Sequence, residues 1–241
     1  MTEQTEAAFF DVDGTLTRGA TLFRFLEFLL TAEGAPSSVY RAERQRLKAM
    51  TAMGVPRERT NRAYFENYAG RGAAYVARLA QEWYQAETRQ GGLFHPAVLE
   101  ACRRHSAAGR LTVLASGSFP ALLAPIAAGL KADAVLCTRP EIRGGRYTGA
   151  VVRPMVGEEK ARAVRRLAED RAIALERSWA YGDHASDLPF LQVVGHPVVV
   201  GTGEPRLLAP ALARPGWRRL PGAAAPSPVP AVPWAVRRRA A

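Results

Sequence analysis

Phe9-Phe10-Asp11-Val12-Asp13-Gly14-Thr15-Leu16 is the stretch around which the rest of the chain is organised. Ala7 to Phe10 is a brief apolar run ending in turn-forming residues, the pattern of a strand buried in a parallel sheet. Asp11 and Asp13 follow the carboxyl end of that strand, where open α/β sheets bind their ligands. Two such carboxylates with a glycine next to them can converge on one cation while the backbone turns sharply. The loop is therefore a candidate phosphate and metal site. An isolated Asp-x-Asp-Gly is more often a surface turn. A calcium loop fails on spacing, since Gly14 comes too early and the closing acidic position is Leu22. The downstream sequence has to decide.

The chain has 241 residues with 48% apolar content, enough for one large domain or two unequal ones with a substantial core. Met1 to Glu6 is polar and acidic, unlike a secretory leader, and the apolar run Leu22 to Leu30 is broken by Arg24 and Glu27. Cys102 and Cys137 have no framework spacing and are expected to be buried thiols rather than a disulfide or metal pair. A cytoplasmic protein without a transmembrane segment is the expectation. The net charge is +11, but residues 201–241 alone hold seven Arg and one Glu. The other Arg residues are interspersed with Glu on helix-like segments, as on solvated faces, so no nucleic-acid partner is expected.

Beyond the acidic loop, Leu22, Phe25, Leu26 and Leu29 recur at helical spacing up to Gly34-Ala35-Pro36. Ser37 and Ser38 offer N-caps for a basic helix to about Met53, and further helical patterns cover roughly 57–68 and the stretch carrying Tyr75, Leu79 and Trp83. Thr17 to about Gly92 thus forms an all-helical insert. From His95 the rhythm alternates helices with short apolar strands, the mark of a parallel sheet with crossover helices. Strands are expected at 111–115, 134–138, 178–181 and 197–200. Helices are expected at 96–108, 119–128, 158–170 and 185–193, with a hairpin over 141–152 turning at Gly144-Gly145. From Pro221 the chain is rich in Pro and Ala and closes on Arg237-Arg238-Arg239, the composition of a disordered basic tail.

Three further pieces fall where a phosphate site needs them. The strand ending at Ala115 runs into Ser116-Gly117-Ser118, whose hydroxyl and amides can take up the charge of a phosphate oxygen. Lys160 stands in the first turn of a helix, a poor place for a cation by helix dipole alone, and a nearby phosphate would account for it. Trp179-Ala180-Tyr181 leads into Gly182-Asp183-His184-Ala185-Ser186-Asp187, with two more carboxylates one helical turn apart.

In this order the motifs strongly resemble those of the haloacid dehalogenase superfamily, and most closely its phosphoserine-phosphatase-like branch. Asp11-Val12-Asp13-Gly14-Thr15, Ser116, Lys160 and Gly182-Asp183 with Asp187 match its four motifs, and Tyr147-Thr148-Gly149, Gly157 and Leu188-Pro189 strengthen the match. The resemblance implies an α/β fold with a Rossmann-like parallel core (1–17 plus 93–220), a helical C1-type cap (18–92) inserted after the first strand, and a tail (221–241). It implies a phosphatase acting on a small-molecule phosphate monoester through an aspartyl-phosphate. Asp11 would be the nucleophile and Asp13 the proton donor and acceptor. Lys160, Ser116 and Gly117 would bind the phosphoryl oxygens. Mg²⁺ would be held by Asp11, Asp183 and the carbonyl of Asp13, with Asp187, Thr15 and His184 in support.

Two positions depart from that branch. Ala20 stands where a Glu would receive the amino group of phosphoserine, which disfavours phosphoserine as substrate. His184 replaces a small residue and could touch the leaving group, a metal-bound water or the cap. Arg41, Arg44, Arg57 and Arg62 in the insert keep open a second anionic group on the substrate. Two alternatives stay open: phosphoryl transfer to an acceptor other than water, and a non-catalytic protein docking by its basic tail on an anionic surface.

Overall fold

A computed structural model describes residues 5–201 and 216–222. In chain order, β1 (Ala7–Phe10) leads into α1 (Thr21–Ala32), α2 (Ser37–Ala52), α3 (Arg57–Phe65) and α4 (Ala73–Gln90). Then come α5 (Pro96–Ala107), β2 (Leu111–Ser116), α6 (Pro120–Leu130), β3 (Ala134–Cys137) and the pair β4 (Arg139–Arg143) and β5 (Arg146–Arg153). The chain continues through α7 (Glu158–Asp170), β6 (Trp179–Gly182), α8 (Leu188–Leu191), β7 (His196–Val200) and β8 (Arg218–Leu220).

Among the described residues, six strands form one sheet in the order β3-β2-β1-β6-β7-β8. Every pairing in it is parallel. Parallel strands are covered on both faces, which is why β1 is apolar throughout and wholly buried. Its side chains alternate: Ala8 and Phe10 join the cluster that continues into α1 and α4, whereas Ala7 and Phe9 pack with Val164 of α7 and Phe190 of α8. The chain leaves β1 toward β2 and β3 and returns on its other side at β6. That reversal opens a crevice at the carboxyl ends of β1 and β6, the place where such sheets hold ligands.

Four helices intervene between β1 and α5, as the sequence predicts, and their apolar stripes close on the sheet. Phe25 of α1 meets Trp83 of α4 with ring centroids 6.0 Å apart and Phe119, next to the Ser116 turn, at 6.2 Å. The two connections at the base of this bundle run side by side, with Thr17 bridged to Phe94 and the Arg18 amide bonded to the Leu93 carbonyl.

The structure differs from the sequence reading in four places. Neither Ser37 nor Ser38 caps α2: Pro36 is the N-cap residue, and the Ser37 hydroxyl, already inside the helix, accepts a bond from Arg41. The helix expected at 185–193 is a 3-10 turn (Ala185–Asp187) followed by the four-residue α8, because Pro189 has no N–H with which to bond back to residue 185 and carry one helical ladder through both. The segment 57–68 ends in a 3-10 turn from Glu66 to Tyr68. Finally, Arg218–Leu220 adds a sixth strand beside β7, which two arginines in three residues had concealed. Most of the expected basic tail, 223–241, lies outside the described residues. Among the described residues no helix is long and apolar enough to cross a membrane. Cys102 and Cys137 are free thiols, Cys102 buried as expected and Cys137, at the end of the edge strand β3, only half-buried.

Candidate active site

β1 delivers Asp11 to the crevice, and the Asp11 amide extends the β1–β6 ladder by bonding the Tyr181 carbonyl at 2.9 Å. The chain then turns back on itself, with the Leu16 and Thr17 amides bonding the carbonyls of Asp11 and Val12. Gly14 makes the turn possible. Its φ is +88°, and a Cβ there would lie 2.4 Å from Oδ2 of Asp183. The same close approach lets the Thr15 hydroxyl donate to Asp183 Oδ1 at 2.8 Å. Gly182 has a matching role, since a Cβ would lie 2.8 Å from that of Asp187.

Lys160 reaches from α7 into the floor of the crevice and donates to Asp11 Oδ1 at 2.8 Å and Asp187 Oδ1 at 2.6 Å. It is buried, and its position near a helix N-terminus is explained by these two carboxylates. Burial by itself would lower the Lys160 pKa, but Asp11 and Asp187 outweigh it and hold the ammonium above its ordinary value. Burial raises Asp11 well above the usual carboxylate range, with Lys160 opposing and the charges of Asp187 and Asp183 adding to it. Asp183 is pushed up to about 6 by burial and the Asp187 charge, against the bond from Thr15.

Asp11, Asp183 and Asp187 bring one carboxylate oxygen each within 4.8 Å of one another. Against these three acids, among the described residues, stands one ammonium, Lys160. A donor set made of hard oxygens with surplus negative charge fits a divalent cation such as Mg²⁺. Such a cation would reverse the upward carboxylate shifts. The Asp13 side chain lies outside this cluster and faces the helical insert, where its Oδ1 accepts from the amide (2.6 Å) and hydroxyl (2.5 Å) of Thr21. Burial raises the Asp13 pKa, against the Thr21 bonds and the charge of Arg57.

A cavity of about 130 Å³ lies over these groups, reached by Asp11, Asp13, Ser116, Gly117, Lys160, His184 and Asp187. The Ser116 hydroxyl oxygen accepts the Ser118 amide at 3.0 Å, which leaves its proton for an acceptor in the cavity. The Gly117 carbonyl is held by the side chains of Asn61 and Thr138, both at 2.8 Å. Thr138 also reaches Asn61 Oδ1 at 3.3 Å, so α3 is latched to the serine loop by one shared network. His184 N-caps the 185–187 turn: its Nδ1 accepts the Ser186 amide at 3.0 Å, while its own amide bonds Asp187 Oδ2 at 3.3 Å.

Asp11, Asp13, Ser116, Gly117, Lys160, His184 and Asp187 therefore come together at one cavity, with Asp183 and Thr15 joined to it beside Asp11. The other histidines stand elsewhere: His105 bonds the Tyr181 hydroxyl, His95 the Pro221 carbonyl, and His196 stacks on Trp179. Of the four insert arginines, Arg57 alone lines the cavity among the described residues. Arg41 turns to Ser37 and Arg62 to the Val151 carbonyl. Sequence reasoning missed Thr21, Asn61 and Thr138. Single polar residues on otherwise ordinary elements carry no motif, and their partners lie 8 to 77 positions away.

The haloacid dehalogenase-like hydrolase family model matches residues 8–192. The chain is similar to a probable phosphatase of Mycobacterium tuberculosis, with 42% identity over 96 residues, 40% of this chain and 33% of that protein. It is also similar to the phosphoserine phosphatase SerB1 of Mycobacterium tuberculosis, 30% identical over 210 residues. That match covers 81% of this chain and 65% of the relative, so the chain spans one third to two thirds of the length of these two proteins. Among solved structures, a protein of unknown function from Bordetella pertussis superposes with a TM-score of 0.80 at 26% identity, over 90% of this chain and 99% of that one. A phosphoserine phosphatase described as a phospho-aspartyl intermediate analogue shares the fold, with a TM-score of 0.64 at 18% identity over 86% of this chain and 91% of that one. With its acidic loop, serine turn, lysine and second acidic loop at one crevice, the chain belongs to the haloacid dehalogenase-like hydrolase family.

Proposed function

We propose that this protein is a Mg²⁺-dependent phosphatase that hydrolyses a small-molecule phosphate monoester through an aspartyl-phosphate on Asp11. The observation that carries this reading is the pairing of Asp11 with buried Lys160 inside a cluster of carboxylates, with Asp13 opposite, raised by its burial. Asp11, Asp183 and the carbonyl of Asp13 would hold the cation. When bound, it supplies neutralisation of the phosphoryl dianion, which a carboxylate nucleophile otherwise repels.

The residues of the chain divide the remaining work. Lys160, the Ser116 hydroxyl and the Gly117 amide hold the phosphoryl oxygens and oppose the charge that builds on them in the transition state. Asp187 positions Lys160. A carboxylate oxygen of Asp11 forms a bond to phosphorus as the ester oxygen leaves, and Asp13 gives that oxygen its proton. Asp13, now a carboxylate, takes a proton from water as the water attacks phosphorus. The Asp11–phosphorus bond breaks, phosphate departs, and Asp13 is protonated again. Helices α1 to α4 act as the cap over this chemistry, and the substrate is enclosed between cap and sheet.

Phosphate release from an aryl phosphate tests the reading. Turnover is expected with added Mg²⁺ and lost with chelator or in Asp11→Asn. Full turnover in excess chelator, or a wild-type rate in Asp11→Asn, would overturn it.

A further inference from the structure

The cap side of the cavity is built from Ala20, Leu22, Phe23, Leu47 and Tyr64. Tyr64 contributes its ring only, because its hydroxyl is engaged by the Leu22 carbonyl and the Tyr68 hydroxyl, both at 2.7 Å. Asn61 is turned to Gly117 and Thr138. The Thr60 hydroxyl leans toward the Pro56 carbonyl at 3.5 Å. Among the described residues no carboxylate stands on this wall, and its one charged side chain is Arg57. Arg57 lines the same cavity as Asp13, and its charge opposes the rise of the Asp13 pKa.

From this wall we infer that the alcohol half of the substrate is short and apolar and carries no ammonium group. The inference rests on the hydrolase reading above. An apolar alcohol gains from leaving water against Leu22, Phe23 and Leu47. A polyhydroxylated one, such as a sugar or cyclitol, loses hydrogen bonds to water that Leu22, Phe23, Leu47 and the Tyr64 ring do not replace. An ammonium group meets no carboxylate on this wall and faces the like charge of Arg57, which amounts to discrimination by repulsion. Size adds a limit: about 130 Å³ is close to the cavity that admits one benzene-sized molecule, and the phosphoryl group takes part of it.

The test compares three esters of equal heavy-atom count: propyl phosphate, 2-hydroxyethyl phosphate and phosphoethanolamine. kcat/KM with Mg²⁺ is expected to fall in that order, with roughly tenfold or more between the first and last. Arg57→Met is expected to narrow the gap for phosphoethanolamine, and Phe23→Ser to lower turnover of propyl phosphate more than that of 2-hydroxyethyl phosphate. Calorimetric binding of butylphosphonate and 3-aminopropylphosphonate gives a readout independent of hydrolysis. Tighter binding of butylphosphonate without turnover of any ester would sustain the inference and remove the hydrolase reading. Turnover of phosphoethanolamine equal to or above that of propyl phosphate would overturn the inference and leave hydrolysis standing. So would equal binding of the two phosphonates, or binding of neither.

Discussion

Lys160→Met isolates the electrostatics of the site, because methionine keeps most of the chain length and removes only the charge. In the structure the ammonium lies 2.8 Å from Asp11 and 2.6 Å from Asp187, and all three side chains are buried. Removing one partner of a buried pair leaves an uncompensated charge, for which a loss of about 3–5 kcal/mol is typical. For a chain of this size that corresponds to a Tm lower by roughly 6–20 °C. The sign with pH follows from Asp11. Its pKa is already raised in the folded protein by burial, and Lys160 is what opposes the rise, so the variant raises it further. A carboxyl whose folded pKa lies above its unfolded value of about 3.9 contributes its full stability below that value and loses it as pH rises through the folded pKa. The deficit of the variant therefore grows as pH rises through the folded pKa of Asp11. Thermal melts in chelator at an acidic and an alkaline pH measure it, and adding Asp187→Asn to Lys160→Met should restore part of the loss at the higher pH. An equal deficit at both pH values, with no recovery in the double variant, would show that lost packing and not unpaired charge sets the stability here.

Asp13→Asn should slow hydrolysis of an alkyl phosphate by roughly 10²–10⁴-fold and that of an aryl phosphate with a good leaving group much less, since only the former needs a proton. Equal losses on both esters would remove Asp13 from proton transfer. Asn61→Ala breaks the bonds that tie α3 to the Gly117 carbonyl and Thr138, so KM for a small ester should rise several-fold with a far smaller effect on Tm. A change in Tm without a change in KM would make Asn61 a structural residue only.

The order of strands and helices and the residues of the candidate site were legible because each has a local cause. A buried parallel strand must be apolar on both faces, as β1 is, and a loop that bends back at once requires glycine, as Gly14 does. Lys160 was legible as an anomaly, a cation at the wrong end of a helix dipole, and the structure gives it two carboxylate partners, Asp11 and Asp187. Strand β8 was hidden because two exposed arginines flank its pairing with β7, and edge strands carry little periodicity.

What the sequence by itself determined is therefore the set of groups at the candidate site: the acidic loop, the serine turn, the lysine and the second acidic loop are each written in neighbouring residues at a strand end or a helix start. Only the tertiary structure decided how these groups are charged and what they enclose. The shifts of Asp11, Asp13 and Asp183 arise from burial and from mutual proximity across up to 172 positions, as from Asp11 to Asp183. The apolar wall of Leu22, Phe23, Leu47 and Tyr64 exists only because three helices dock over one crevice, each of them an ordinary amphipathic helix until it is packed.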